Sequence, residues 1–185
     1  PNSKVTKDEN QIDKELLHIE KWHQIQQKLV LHFASSYSGA IQSQEIFEAL
    51  FLLLSEKHKL EWQGSMWDVD IEFEEALTLL SNFDFTIILN KIETEEGVIP
   101  KSLLIQFKVR IKSKGLIWVI HRYDEDPFPS NPHAHQLENN IKLDLSNGKC
   151  YILRDHIYTI KKKDLLLIRE KAIAVFKGEL PPLTV

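Results

Sequence analysis

From Gln11 to His32 the apolar residues Ile12, Leu16, Ile19, Trp22 and Ile25 recur at helical spacing with charged residues between them, which predicts an amphipathic helix. Ser35-Ser36-Tyr37-Ser38-Gly39 breaks it. A second helix is expected from about Ser43 to His58, with Ser43 as N-cap and Glu45 and Glu48 near its positive end. Its apolar face (Ile46, Phe47, Leu50, Phe51, Leu53, Leu54) is wide enough for deep burial. Trp62 to Ser65 reads as a loop and Asp70 to Ser81 as a third helix. The period then changes. Phe83 to Ile92 is short and β-rich and reads as a strand. Leu104 to Lys112 alternates, with Ile105, Phe107, Val109 and Ile111 on one side and Gln106, Lys108, Arg110 and Lys112 on the other. A turn at Lys114-Gly115 would pair this run with Leu116 to Tyr123, setting Ile111 opposite Trp118, Val109 opposite Ile120 and Lys108 opposite His121. Residues 124–140 show no apolar period and read as a long loop. Asn147-Gly148 predicts a hairpin of Asn140–Ser146 with Lys149–Arg154, with Leu143 facing Ile152 and Leu145 facing Cys150. Lys162 to Lys177 is a last helix, stopped by Gly178 and Pro181-Pro182. The expected class is α+β: N-terminal helices packed on an antiparallel β-meander of about four to five strands, with a C-terminal helix. Residues 1–82 form the helical region and 83–185 the sheet with its helix, together one compact domain.

Composition narrows the function classes. At 185 residues, with 43% hydrophobic and 27% charged positions, the chain is an ordinary globular protein. A single cysteine, Cys150, excludes an internal disulfide framework and a cysteine-based zinc finger. It reads as a small buried hydrophobe and favours a reducing, cytoplasmic home. The longest apolar run, Ala49 to Leu54, is too short to span a bilayer, so no membrane partner is expected. The net charge of −4 hides an asymmetry. Residues 1–100 carry 8 Lys and no Arg against 18 acids, a net of −10; residues 101–185 carry 15 Lys plus Arg against 9 acids, a net of +6. The basic half is compatible with a polyanion such as RNA. A homo-oligomer is equally compatible with the sequence.

Chemistry concentrates between His121 and His135, where three of the eight histidines fall. Pro127, Pro129 and Pro132 stiffen the connection. If Pro132 to His135 is extended, His133 and His135 point the same way, and His121 at a strand end could join them. One use is metal-independent RNA cleavage. His121, His133 and His135 would share acid and base work, since imidazole titrates near neutrality. Arg122 or Lys108 would stabilise the phosphoryl charge, Arg110 would add a substrate contact, and Tyr123 would stack on a base or donate a hydrogen bond. The alternative is a metal site in which His121, His133 and His135 bind zinc or another divalent ion, with Glu138 or Asp126 as a further ligand. A non-catalytic module is a third reading: Trp62 and Trp67 would dock a protein partner and the basic sheet would bind nucleic acid. No Gly-rich phosphate loop, His-Glu-x-x-His or Gly-x-Ser-x-Gly motif is present.

Arg122-Tyr123-Asp124 followed by Pro132-His133-Ala134-His135, after a β-hairpin, resembles the TumE-like toxins of bacterial toxin–antitoxin pairs. The resemblance covers roughly residues 103–160. It implies that Arg122, Asp124, His133 and His135 map onto that family's polar site, with Asp124 contacting substrate. It also implies an RNA-directed, growth-inhibiting ribonuclease with a cognate antitoxin as partner. Two departures accompany it: Asp124 to Pro129 replaces the family's Asp-Asn and histidine-rich stretch, and about 100 residues, largely helical, precede the site.

Overall fold

The computed structural model describes residues 5–95, 97–106, 115–121 and 124–185, with side chains from residue 11 onward except at 105 and 106. The chain is α+β, with N-terminal helices, a six-stranded antiparallel sheet and a C-terminal helix. Four helices come first: α1 (Val5–Phe33), α2 (Ser43–Leu54), α3 (Phe73–Ser81) and the short α4 (Thr86–Leu89). Next are β1 (Ile92–Glu93), α5 (Lys101–Gln106), β2 (Ile117–His121), β3 (His133–Gln136), β4 (Ile141–Leu143), β5 (Lys149–Ile152), β6 (Asp155–Thr159) and α6 (Lys162–Val175). Among the described residues the six strands lie side by side in chain order, one more than the upper expectation. Among the described residues no helix is long and apolar enough to cross a membrane.

Strand alternation gives the sheet two different faces. Val119, with Leu137 just beyond β3, packs with the helical side, among Trp22, Ile25, Leu29, Leu50, Phe51 and Leu80. Trp118, Ile120, Ala134, Leu143 and Cys150 face the other way, onto Leu165, Ile168 and Ala172 of α6. Buried indole nitrogens find acceptors: Trp22 Nε1 donates to Val69 O at 3.0 Å and Trp118 Nε1 to Thr94 Oγ1 at 3.3 Å. Gly115, at φ +84°, has no substitute, because a Cβ there would lie 1.7 Å from Thr94 O. Cys150 is fully buried, and burial pushes its thiol up to about 12. The native protein should therefore resist iodoacetamide at pH 8, with alkylation appearing only as denaturant unfolds it; mass spectrometry of intact protein reads this directly.

Several sequence expectations need correction. Phe83 to Ile92 is not a strand. Asp84 Oδ1 accepts from Thr86 N at 3.0 Å and Thr86 Oγ1 at 2.7 Å, which starts α4 and leaves only Ile92–Glu93 extended. Leu104 to Gln106 are helical, in α5, despite their alternation. The rest of that run, including Lys108, Arg110 and the pairings proposed for Val109 and Ile111, lies outside the described residues. Trp118 pairs with Ile92 of β1, and His121 is opposite His133. The loop expected over 124–140 contains β3, a central strand. The Asn147-Gly148 hairpin exists, but Leu143 faces Cys150 and Ile141 faces Ile152. The cause is Asp144, whose carboxylate accepts from Ser146 N (2.8 Å), Ser146 Oγ (2.6 Å) and Asn147 Nδ2 (2.8 Å). This turn takes 145–148 out of the ladder, with Asp144 N still donating to Lys149 O at 2.8 Å, and shifts the pairing by two residues. Leu145 instead buries in the loop, where Arg169 Nη1 donates to its carbonyl at 2.6 Å. The predicted second helix also stops early, at Leu54, and its N-cap is Gln42, whose N–H donates to Glu45 Oε2 at 3.0 Å.

Candidate functional site

The β2–β3 register builds the site. His121 sits directly opposite His133, and Val119 opposite His135, so the three imidazoles share the sheet face that looks toward the helices. Val119 continues that face as core, whereas the histidine end meets the segment that returns from β2. That segment carries Asp124. Its Oδ2 lies 3.0 Å from His135 Nε2, 3.2 Å from His133 Nε2 and 3.5 Å from His121 Nδ1. Only the His135 contact has hydrogen-bond geometry. The rings of His133 and His135 lie 4.5 Å apart between centroids, and those of His121 and His135 5.8 Å.

The tautomers follow from the partners. His133 Nδ1 lies 2.9 Å from the carbonyl of Ser130. A carbonyl only accepts, so this nitrogen carries the proton. In the neutral ring Nε2 is then bare, and its lone pair faces the Asp124 carboxylate at 3.2 Å. Two lone pairs at that distance repel unless a proton or a cation joins them. Ser130 is itself fixed, since its Oγ donates to Pro132 O at 2.9 Å and accepts from Leu145 N at 3.1 Å. His121 Nδ1, His133 Nε2 and His135 Nδ1 are buried without a hydrogen-bond partner among the described residues.

Electrostatics add to this. Burial disfavours the imidazolium of His135 by more than Asp124 favours it, and the ring is held down to about 3, so it is neutral near pH 7. Burial also opposes the Asp124 charge, but His121, His133 and His135 around it outweigh burial and keep its carboxyl far below the usual range. A neutral imidazole and an ionised carboxylate are the ligating forms. His121, Asp124 and His135 each offer a ligand atom within 4.8 Å of the others, and His133 Nε2 reaches the same Asp124 oxygen. For comparison, ligand atoms around a tetrahedral zinc lie roughly 3.3 Å apart, given bonds of about 2.0–2.1 Å.

One side of the cluster is open. A cleft of about 520 Å³ runs between it and the helices, and His121 and Asp124 line it while His133 and His135 do not. The latter two are sealed, each 1% exposed. The sequence reading placed these histidines together correctly and gave Asp124 to substrate; in the structure Asp124 is the group on which they converge. Arg122, Tyr123, Lys108 and Arg110 lie outside the described residues. Neither proposed acidic ligand stands at the imidazoles. Asp126 turns to Arg154 Nη2 (3.0 Å) and Lys142 Nζ (3.6 Å), and Glu138 lines a different cleft, beside Trp62 and Gln63.

Sequence reasoning missed Lys142 and Glu56. Lys142, opposite His135 in the β3–β4 ladder, is fully buried, with its Nζ 2.5 Å from Glu56 Oε1. A lysine between Ile141 and Leu143 in a central strand was the available signal, because such a residue is rarely buried unless paired. The ion pair matters for the site because Asp126 is held by Lys142 and Arg154, while the Asp126 N–H donates to Asp124 Oδ1 at 3.0 Å. The loop bearing Asp124 is thus braced from β4 and from the turn after β5. No family model matches the sequence, and no curated protein or solved structure matches it, so the reading of this site rests on its geometry.

Proposed function

We propose that the chain is a metal-dependent enzyme of hydrolytic type, with a divalent transition-metal ion held by His121, Asp124, His133 and His135. The observation that carries this is the convergence of His121, Asp124 and His135, whose ligand atoms lie within 4.8 Å of one another, with His133 Nε2 3.2 Å from the same Asp124 oxygen. A cation among them would give the unpartnered imidazole nitrogens a partner. The Ser130 carbonyl on the far side of His133 is the usual outer support of a ligating histidine. Three imidazoles with one carboxylate suit zinc, iron or nickel better than magnesium or calcium. Such an ion would act as a Lewis acid; with four protein ligands it would need a further coordination position, on the side open to the cleft, to activate water. His133 and His135, buried behind the ion, would fix it, while His121 and Asp124 border the substrate.

The metal-free ribonuclease reading uses the same histidines, and the resemblance to TumE-like toxins supports it. It requires two imidazoles at the substrate and a cationic clamp on phosphate. His121 alone of the three borders the cleft, and among the described lining residues Glu56, Asp84, Asp124, Glu125 and Asp126 outnumber Lys57. The metal reading is therefore preferred. Metal analysis of the full-length protein, combined with calorimetric titration of chelator-treated protein with zinc chloride, tests it. A single tightly bound equivalent is expected, lost on chelation and restored by zinc. Protein that binds no transition metal, yet cleaves RNA in EDTA and loses that activity in His121→Ala, would overturn it in favour of a ribonuclease toxin with an antitoxin partner.

A further inference from the structure

Independently of the metal reading, we infer that the chain associates with a second copy of itself, the N-terminal part of α1 docking on the outer face of α6. Both are helix faces without a partner among the described residues. From Trp22 onward α1 buries Trp22, Ile25 and Leu29 in the core. The same stripe runs back through Ile19, Leu16 and Ile12 at steps of three or four residues, and there it leaves the body. All three side chains are exposed, Leu16 by 55%. α6 is apolar on two sides. One face buries Leu165, Ile168 and Ala172 with the sheet. The other carries Leu166, Leu167 and Ile173, all exposed, Ile173 by 67%. A helix apolar all round belongs in a buried setting, and the body of one chain covers only one side of this one.

The occupant follows from length and charge. Ile12 to Ile19 and Leu166 to Ile173 each advance seven residues, about 10 Å at 1.5 Å per residue, so the two stripes match. Their surroundings are opposite in sign. Asp13, Glu15 and Glu20 flank the α1 stripe against Lys14, and at its base Asp70 and Glu72 share Lys21. That is five acids against two lysines. Lys161 to Lys177 holds five lysines and Arg169 against Asp164 and Glu170. Exposed Lys163 and Lys177 stand at the two ends of the α6 stripe. Two α1 segments would set acid against acid, and two α6 faces lysine against lysine, so the complementary pairing is α1 with α6. Within one chain these helices belong to different cores, on opposite faces of the sheet. A second copy brings both surfaces. In a closed pair the contact is made twice, which carries a small patch toward the roughly 1,200 Å² at which stable interfaces begin.

Sedimentation equilibrium of the full-length protein, from about 1 μM to about 1 mM, tests this. The mass should rise with concentration toward twice that of one chain. Leu16→Glu and Ile173→Glu alter exposed side chains, so each should keep the parent's far-ultraviolet circular dichroism. Each should weaken association at least about tenfold, because a carboxylate would be buried without a partner at the contact. An equimolar mixture of the two should regain part of the association, since the intact α6 of the first can accept the intact α1 of the second. Lys163→Glu/Lys177→Glu, which changes exposed charges alone, should weaken it as well. Protein that stays monomeric across the range overturns the inference, including protein that uses these faces for a different partner. So does association that survives Ile173→Glu, or a mixture that associates no better than either variant by itself.

Discussion

His135→Ala protein is expected to bind zinc at least about 100-fold more weakly than the parent chain, a larger loss than the 10- to 100-fold typical of outer-shell changes. The imidazole is closely held. It is 1% exposed, sits in a strand paired on both sides, and has its Nε2 3.0 Å from Asp124 Oδ2. Alanine removes a donor that no neighbour can replace and also leaves a cavity, so folding must be checked separately. His135→Gln keeps most of the volume and a donor toward Asp124. Its near-ultraviolet circular dichroism should match the parent while its zinc affinity still falls. His133→Ala should lose affinity similarly, since its tautomer is preset by Ser130. Unchanged zinc affinity in a folded His135→Gln protein would remove the metal centre as described.

The second large effect concerns stability. Lys142 is fully buried, while the side chain of Glu56 is 37% exposed. Breaking a buried pair from either end is usually costly, but the two ends differ here. Glu56→Gln leaves a buried ammonium with Asp126 at 3.6 Å as its remaining partner. It should cost about 3 kcal/mol, the low end for an uncompensated buried charge because Asp126 remains and Glu56 is partly hydrated. That is a fall of roughly 6–12 °C in Tm for a chain of this size. Lys142→Met leaves a carboxylate on a side chain that is 37% exposed and can turn to water, so it should cost clearly less. The double variant Glu56→Gln/Lys142→Met should recover most of the loss. Denaturant melts of the four proteins form the cycle. Additive losses would show that the pair is not coupled, and the structural role given to Lys142 would fall with it.

What the sequence made legible was periodic or covalently local. The long apolar period of α1, α2 and α6 and the turn at Asn147-Gly148 follow from residue types alone. Clustering of His121, His133 and His135 was visible because two lie at i and i+2 and the third ends a strand. Other features depended on contacts distant in sequence. Alternation from Leu104 suggested a strand, but period-two patterning also fits a short helix that buries Leu104. β3 was hidden because its inward positions are histidines, so a strand buried on both faces carried no apolar alternation. The role of Asp144 looked like ordinary turn chemistry, and only the register shows that its carboxylate displaces the hairpin by two residues. Lys142 and Glu56 are 86 positions apart, and no local rule connects them. The cleft joins residues from α2, α3 and the turns after α3 and β2, which explains why its acidic lining could not be read from the charge of either half.

The pairing of His121 with His133 reaches beyond the site itself. Sliding β3 by one position would turn both of its imidazoles onto the α6 side and bring Ala134 and Gln136 to the helices. An ion that needs all three rings can be captured in one alignment alone, so uptake would act as a proofreader of strand assembly. Deleting a single residue within 133–136 should then abolish capture even in a protein that still folds.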